Sequence, residues 1–249
     1  MSNFTLDIDQ RDDESRLQHI LFILDGNGRW ATLRGLPREE GHAASIKNIT
    51  DIVYECIRQH IRYISLFVFS TENWKRPEKE VKGIHKAISD GLASNLLDWH
   101  AHGVKIQYIG QLQRVDPHLQ DIINYSRDLT RENTVITLSI VLDYGARSDI
   151  VSAMRHIVQE HIPLENITEQ TIKSYLSTAE VPDPDLVIRT GGRFRISNVF
   201  LWELSYSELW FTDVLWPDFR PEHLRDAIND FYGRPRTFGN VPEALALER

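Results

Sequence analysis

The segment Asp25-Gly26-Asn27-Gly28-Arg29-Trp30 places one carboxylate, two glycines and a guanidinium within six residues. Two glycines flanking one residue permit a tight turn and let amide N–H groups approach an anion. Arg29 adds a fork suited to phosphate oxygens. Asp25 would repel a bare diphosphate; it fits if Mg2+ lies between them, because that ion takes one or two carboxylates together with phosphates and water. Gly26, Gly28 and Ala31 also match the G-x-G-x-x-A spacing of a dinucleotide loop, but Asp25 puts negative charge where the pyrophosphate would lie and Arg29-Trp30 crowd its approach. A plain structural turn remains the other alternative.

Three further segments carry groups of the same kind. Arg34, Arg38 and His42 lie in a charged stretch leading into a helix. By itself this is a solvated face; beside a diphosphate loop, Arg38 and His42 become anion ligands. The segment Ser70-Thr71-Glu72-Asn73-Trp74-Lys75-Arg76-Pro77 offers Ser70, Asn73 and Arg76 to a crevice, or else caps the next helix with Trp74 packed inside. In Arg189-Thr190-Gly191-Gly192-Arg193-Phe194-Arg195-Ile196-Ser197, glycines again sit beside arginines and a hydroxyl, as a second phosphate cradle requires. Glu208 is a lone carboxylate that helps a metal or serves as a salt-bridge partner. No nucleophile–base–acid triad accompanies these groups, so the chemistry they suit is stabilising a departing diphosphate through a metal and preorganised cations.

These segments gain meaning from the elements before them. Short apolar, β-branched or aromatic runs at 19–24, 63–69, 104–109, 135–142 and 185–188 read as buried strands, with a sixth near 208–211. Amphipathic stretches at 43–59, 80–100, 116–132 and 146–161 separate them, and a helix is expected at 220–232. Such alternation predicts an α/β fold with a central, mostly parallel six-stranded sheet flanked by helices. Ligands of open parallel sheets bind beyond the carboxyl ends of the strands, where Asp25, Ser70 and Arg189 fall.

The 249 residues are 41% hydrophobic and carry a net charge of −8. That charge disfavours nucleic acid or an anionic membrane as a bulk-charge partner, leaving at most peripheral membrane contact. No linker divides the middle, so a single domain is expected over 19–233, between a polar extension (1–18) and an irregular tail (234–249). Cys56 stands alone and excludes an intramolecular disulfide. The polar, acidic start lacks the apolar core of a signal peptide, and no apolar run reaches the ~20 residues of a membrane span. A cytoplasmic location is the expectation.

Taken together, the chain resembles the cis-prenyltransferases, the family of undecaprenyl diphosphate synthase. The resemblance is carried by His19, Asp25-Gly-Asn-Gly-Arg-Trp30, Gly41-His42, Phe69-Ser-Thr-Glu-Asn-Trp74 with Arg76-Pro77, Tyr144-Gly145, Asp185-Leu-Val-Ile-Arg-Thr-Gly-Gly192, Arg195-Ile-Ser-Asn198, Tyr206-Ser-Glu208, Phe211-Thr-Asp213 and Leu215-Trp-Pro-Asp-Phe219. It implies a homodimer with a hydrophobic tunnel for the prenyl chain. It implies Mg2+ bound by Asp25 and, across the dimer, Glu208. Gly26, Asn27, Gly28, Arg29, Trp30, Arg38 and His42 would hold an allylic diphosphate (dimethylallyl, geranyl or farnesyl). Asn73, helped by Ser70, would position the reacting groups or assist proton loss, and Ser70, Thr71, Glu72, Trp74 and Arg76 would contact substrate. Arg189, Arg195 and Ser197 would bind isopentenyl diphosphate or a second allylic diphosphate.

The departures gather around the second-substrate site. Arg193 replaces the family's usual glutamate, and Phe194 follows it. Thr237-Phe238-Gly239 stands where Arg-x-Gly is common, with Arg236 one place early. Asp143 and Glu203 stand where Asn and Gln are usual. Besides ordinary cis elongation, they suit irregular head-to-middle coupling of the lavandulyl type or an unusual chain length. Val68, larger than the common alanine, points to a short product, whereas Gly83, Ala87, Ser89, Gly91, Ala93 and Ser94 would leave room. A non-catalytic partner subunit is the alternative of another class, opposed by the presence of Asp25 and Asn73.

Overall fold

The computed structural model describes residues 16–236. The expected terminal extension and tail therefore lie largely outside the described residues, as does Thr237-Phe238-Gly239. Six strands form one sheet in the order β3-β4-β2-β1-β5-β6, and every neighbouring pair is parallel. The strands are β1 (His19–Ile23), β2 (Tyr63–Ser70), β3 (Val104–Gly110), β4 (Ile136–Tyr144), β5 (Leu186–Arg189) and β6 (Glu208–Phe211). All five β1 residues are buried, because a parallel strand covered on both faces needs apolar side chains at every position. Ile20 and Phe22 join the larger core, and Leu21 and Ile23 the smaller core on the opposite face.

The helices are α1 (Asn27–Leu33), α2 (Arg38–Lys47), α3 (Ile49–Arg58), α4 (Glu78–Ala101), α5 (Pro117–Thr130), α6 (Ala146–Gln159), α7 (Glu169–Tyr175) and α8 (Pro221–Gly233). In α3, Ile49, Ile52, Val53 and Cys56 are buried at helical spacing, and burial pushes the Cys56 thiol up, so it is inert packing. Asp116 caps α5 by accepting from the His118 N–H, with Pro117 in the first turn. No helix among the described residues is long and apolar enough to cross a membrane.

Two local expectations change, and one helix lies where none is expected. The Asp25–Trp30 loop is shorter than anticipated, because Gly26 takes a left-handed φ of 110° and α1 begins at Asn27. The single helix expected at 43–59 is two, starting earlier at Arg38 and breaking at Asn48. There the buried Asn48 carboxamide donates to the carbonyls of Trp216 (2.7 Å) and Phe219 (3.0 Å). The short α7, capped by Thr168, has too few residues for a periodic signal.

Chain order reverses beside β1, whose neighbours are β2 on one side and β5 on the other. The crevice beyond the carboxyl ends of these three strands is the topological switch point, where open α/β sheets bind ligands.

Candidate active site

A crevice of about 520 Å³ opens at that point, lined by the ends of β1, β2 and β5 and by α1 and α2. Of the site residues expected from the sequence, it brings together Asp25, Gly26, Asn27, Gly28, Arg29, Arg38, His42, Ser70, Glu72, Asn73, Arg76, Arg189, Arg195 and Ser197. Five guanidinium groups thus face two carboxylates across one cavity, an arrangement built for a polyanion.

Asp25 joins the two halves of this constellation. Its Oδ2 accepts from Arg189 Nη2 at 2.8 Å and its Oδ1 from Arg29 Nη2 at 3.2 Å. Burial alone would push the carboxyl up, but the hydrogen bonds and charges of Arg189 and Arg29 outweigh it and hold the group below the usual carboxylate range. Asp25 is therefore ionised at neutral pH. Its backbone is fixed as well, its carbonyl accepting from Thr190 Oγ1 (2.7 Å) and the Trp216 N–H (3.1 Å).

Arg189 is almost fully buried. Besides Asp25 it donates to Ser197 Oγ at 2.7 Å and to the Arg195 carbonyl. Its Nε has no partner among the described residues. Ser197 and Asn198 sit at positive φ, a turn that folds the Arg195–Asn198 segment back over the end of β5. Gly191 is required here: a Cβ would stand 2.6 Å from Arg29 Nη2 and 2.9 Å from the Asp25 carbonyl, at a left-handed φ. Arg29 also donates to the Gly191 carbonyl at 2.6 Å.

On the other side, Glu80 Oε1 accepts from Arg38 Nη2 (3.2 Å) and Arg76 Nη1 (3.1 Å) and lies 3.7 Å from His42 Nε2. The last distance is too long for a hydrogen bond, and His42 Nε2 is buried without a partner among the described residues. Burial, then the Arg76 charge, lowers the His42 pKa against the opposing pull of Glu80. The result is a neutral imidazole with a free nitrogen at the crevice wall. The Arg38 guanidinium lies over Gly28 so closely that a Cβ there would meet it at 2.5 Å. Asn73 Oδ1 accepts from the Ser70 N–H at 3.1 Å, which fixes the carboxamide at the end of β2. Glu80 and Asn198 were missed from the sequence. The Arg76–Glu80 spacing of four at a helix start is the available signal for Glu80, whereas an isolated carboxamide such as Asn198 carries none.

Other expected residues lie elsewhere. The Trp30 indole turns away to donate to Asp218 Oδ1 at 2.8 Å, beneath the Arg34 guanidinium. Thr71 donates to the Glu72 carboxylate at 3.3 Å and lies close to Gly145, and Trp74 packs behind the loop on Phe69 and His85. These three support the crevice rather than line it. Glu208 begins β6 opposite Leu186, which is itself opposite Ile20. It is therefore about 16 Å from Asp25 along the strand direction, at ~3.3 Å per residue. Its Oε2 accepts from Arg234 Nη1 at 2.8 Å, and Arg236 pairs with Asp185 at the same end of the sheet. Within one chain, Glu208 and Asp25 do not share a site.

An apolar recess of about 30 Å³ branches from the crevice between α2, α3 and α4, sharing Leu24, Asn27, His42 and Val68 with it and ending on Ile46, Ile49, Ile84 and Ile88. The room expected along α4 is narrow: Ala87 lines this recess, but the glycine notches beside it are covered. The notch at Gly91 is filled by Ile46, whose Cγ2 would meet a Cβ there at 2.7 Å; that at Gly83 is covered by Glu39 at 3.2 Å, and Ala93 and Ser94 face solvent.

The geometry has counterparts among known proteins. A prenyltransferase family model described as "Putative undecaprenyl diphosphate synthase" matches residues 23–239. An isoprenyl transferase of Clostridium perfringens is 42% identical over 228 residues, 90% of each chain, and one of Neisseria meningitidis serogroup A is 41% identical over 232 residues, 93% of each. The structure of lavandulyl diphosphate synthase from Lavandula x intermedia in complex with dimethylallyl diphosphate aligns with a TM-score of 0.89 at 33% identity, over 92% of this chain and 100% of that one. A probable undecaprenyl diphosphate synthase from Campylobacter jejuni aligns at 0.76 and 28%, over 90% and 99%. A crevice rich in arginine at the switch point of a parallel sheet, and likeness along nearly the whole chain, lead to one conclusion: this chain belongs to the undecaprenyl diphosphate synthase family of prenyltransferases.

Proposed function

We propose that the chain transfers a short allylic group, dimethylallyl in the first instance, from its diphosphate to isopentenyl diphosphate by cis elongation. The observation that carries this reading is the ionised Asp25 held between Arg29 and Arg189 where two arginine clusters meet. Arg29, Arg38, Arg76 and the neutral His42 hold the allylic diphosphate. Arg189, Arg195 and Ser197 hold the second diphosphate. In the reaction the allylic C1–O bond breaks, the acceptor's double bond supplies the electron pair for the new C–C bond, and a proton leaves the acceptor. The guanidinium groups stabilise the departing charge without reorganising, and side-by-side binding makes the encounter local. Asn73, which lines the crevice with its oxygen tied to the Ser70 N–H, orients the reactants.

No cluster of three or more metal-ligating side chains occurs among the described residues. A single ionised carboxylate beside a phosphate cradle still fits Mg2+, which completes its shell with phosphates and water. Asp25 would hold it, and when bound it neutralises charge on the leaving diphosphate. A homodimer is supported by exposed Val151, Met154 and Val158 on one face of α6; in it, Glu208 would reach a metal at Asp25 only from the second chain. A cytoplasmic location fits a chain read as acting on diphosphates.

The recess supports the short allylic group. At ~10–15 Å³ per water-sized group it admits the tip of one isoprene unit. A second reading, head-to-middle coupling of two dimethylallyl diphosphates, is favoured by the likeness to the lavandulyl diphosphate synthase and by Arg193 and Phe194, the latter 77% exposed and packed on Phe211. Incubation with dimethylallyl diphosphate, with and without isopentenyl diphosphate, followed by product identification, tests both. A linear Z product that requires isopentenyl diphosphate upholds elongation; a branched product without it upholds the second reading. No transfer under either condition overturns both.

A further inference from the structure

Asp143 lies one residue before the end of β4, fully buried and at a φ of 50°. Its Oδ1 accepts from Trp74 Nε1 at 2.7 Å and from Arg114 Nη2 at 2.7 Å, while Oδ2 accepts from Arg114 Nε at 3.0 Å. The same guanidinium stands over the Trp74 ring, 5.2 Å from its centroid. Phe69 and His85 meet the indole nearly perpendicular, with centroids 5.2 and 5.4 Å away. The indole is thus fixed at its one polar atom, on one face and at its edges.

Trp74 belongs to the five-residue 3-10 turn Thr71–Lys75. Asn73 immediately before it and Arg76 just beyond it both line the crevice, whereas Trp74 does not. A turn of this length has few and poorly aligned internal hydrogen bonds, and locally it is tied through the reciprocal Ser70–Asn73 cap. Something outside the turn must set its orientation.

We propose that Asp143 is a positioning residue that pegs this turn through the Trp74 indole, so that Asn73 and Arg76 are presented to the crevice, with Arg114 as its counter-ion. A carboxylate suits the task better than a carboxamide. It accepts from both forks of Arg114 and still has a lone pair for the indole, and charge-assisted bonds are shorter and stronger. An asparagine keeps an acceptor for the indole but gives up one arm of the guanidinium contact. The kinetic consequence rests on the prenyl-transfer reading; the structural one does not.

The test compares Asp143→Ala, Asp143→Asn, Trp74→Phe and the Asp143→Ala/Trp74→Phe double variant by hydrogen exchange and by steady-state transfer with dimethylallyl and isopentenyl diphosphates. Asp143→Ala and Trp74→Phe should each deprotect residues 70–76 while β4 stays protected, and lower kcat by about 10–100-fold, as a reacting group displaced by ~1 Å does. The double variant should be no worse than the poorer single one, and Asp143→Asn should restore most of both properties. Trp74→Phe retains ring packing and carries the comparison should Asp143→Ala not fold. Unchanged protection of 70–76, losses that multiply in the double variant, or an Asn variant as impaired as the Ala variant would overturn the proposal. Deprotection in a protein whose unmodified form transfers nothing would instead count against the prenyl-transfer reading and leave the peg standing.

Discussion

The 2.8 Å contact from Arg189 Nη2 to Asp25 Oδ2 ties the tip of β5 to the tip of β1. Arg189 is buried and Asp25 is half-open to the crevice, so the charge that the carboxylate shows a ligand is set by a guanidinium behind it. The partners that hold Asp25 in place also keep it ionised, so the pair is at once a strut and the source of a fixed negative charge at the crevice.

Replacing Asp25 by Ala is therefore expected to remove turnover by at least about 10²–10³-fold while circular dichroism still reports a cooperative fold. EDTA should silence the unmodified enzyme and added Mg2+ restore it; Asp25→Ala should not respond to Mg2+. Near-normal transfer by Asp25→Ala would break the assignment of this carboxylate.

Arg189→Lys preserves charge but not the fork that reaches Asp25, Ser197 Oγ and the Arg195 carbonyl together. A lysine ammonium on its single stem does not reproduce that fixed, planar set of donors. The expected result is a fall of about 10–100-fold in kcat/KM measured against the second diphosphate. A lysine variant indistinguishable from the parent would show that only net charge matters there.

Ile46 fills the Gly91 notch and closes the apolar recess. Truncating it to Ala opens volume in line with the allylic tail, and product length in the presence of isopentenyl diphosphate should increase by at least one five-carbon unit. Chromatography of dephosphorylated products reads this directly. An unchanged product distribution would mean that something other than Ile46 ends the chain.

The sheet and the crevice were legible because their signals are local. Strands such as β1 announce themselves as unbroken apolar runs, and the strand-end rule then assigns Asp25, Ser70 and Arg189 to one place. What stayed hidden depends on which neighbour covers a side chain. Gly83 and Gly91 read as free space because sequence does not say that α2 lies against α4. Trp30 and Trp74 read as ligands because their anchors, Asp218 and Asp143, are remote in the chain. The break at Asn48 depends on carbonyls of Trp216 and Phe219, more than 160 residues away.

Glu203 is the last departure with a consequence to measure. It is buried, its Oε1 bonded to Thr178 and its Oε2 without a partner among the described residues. Burial pushes its pKa up, opposed by the Thr178 hydrogen bond and reinforced by the charges of Asp149 and Asp183. For an acid raised on folding, the favourable contribution is complete below the unfolded value, about 4.3, and is lost as pH rises through the folded value. The charged form is then a burden at neutral pH. Glu203→Gln should raise stability at pH 7 by about 1 kcal/mol, the scale of one under-satisfied buried polar group, with the two denaturation curves converging toward pH 4. A variant that is less stable than the parent at pH 7, or whose advantage persists undiminished in acid, would show that Glu203 is held ionised by a partner.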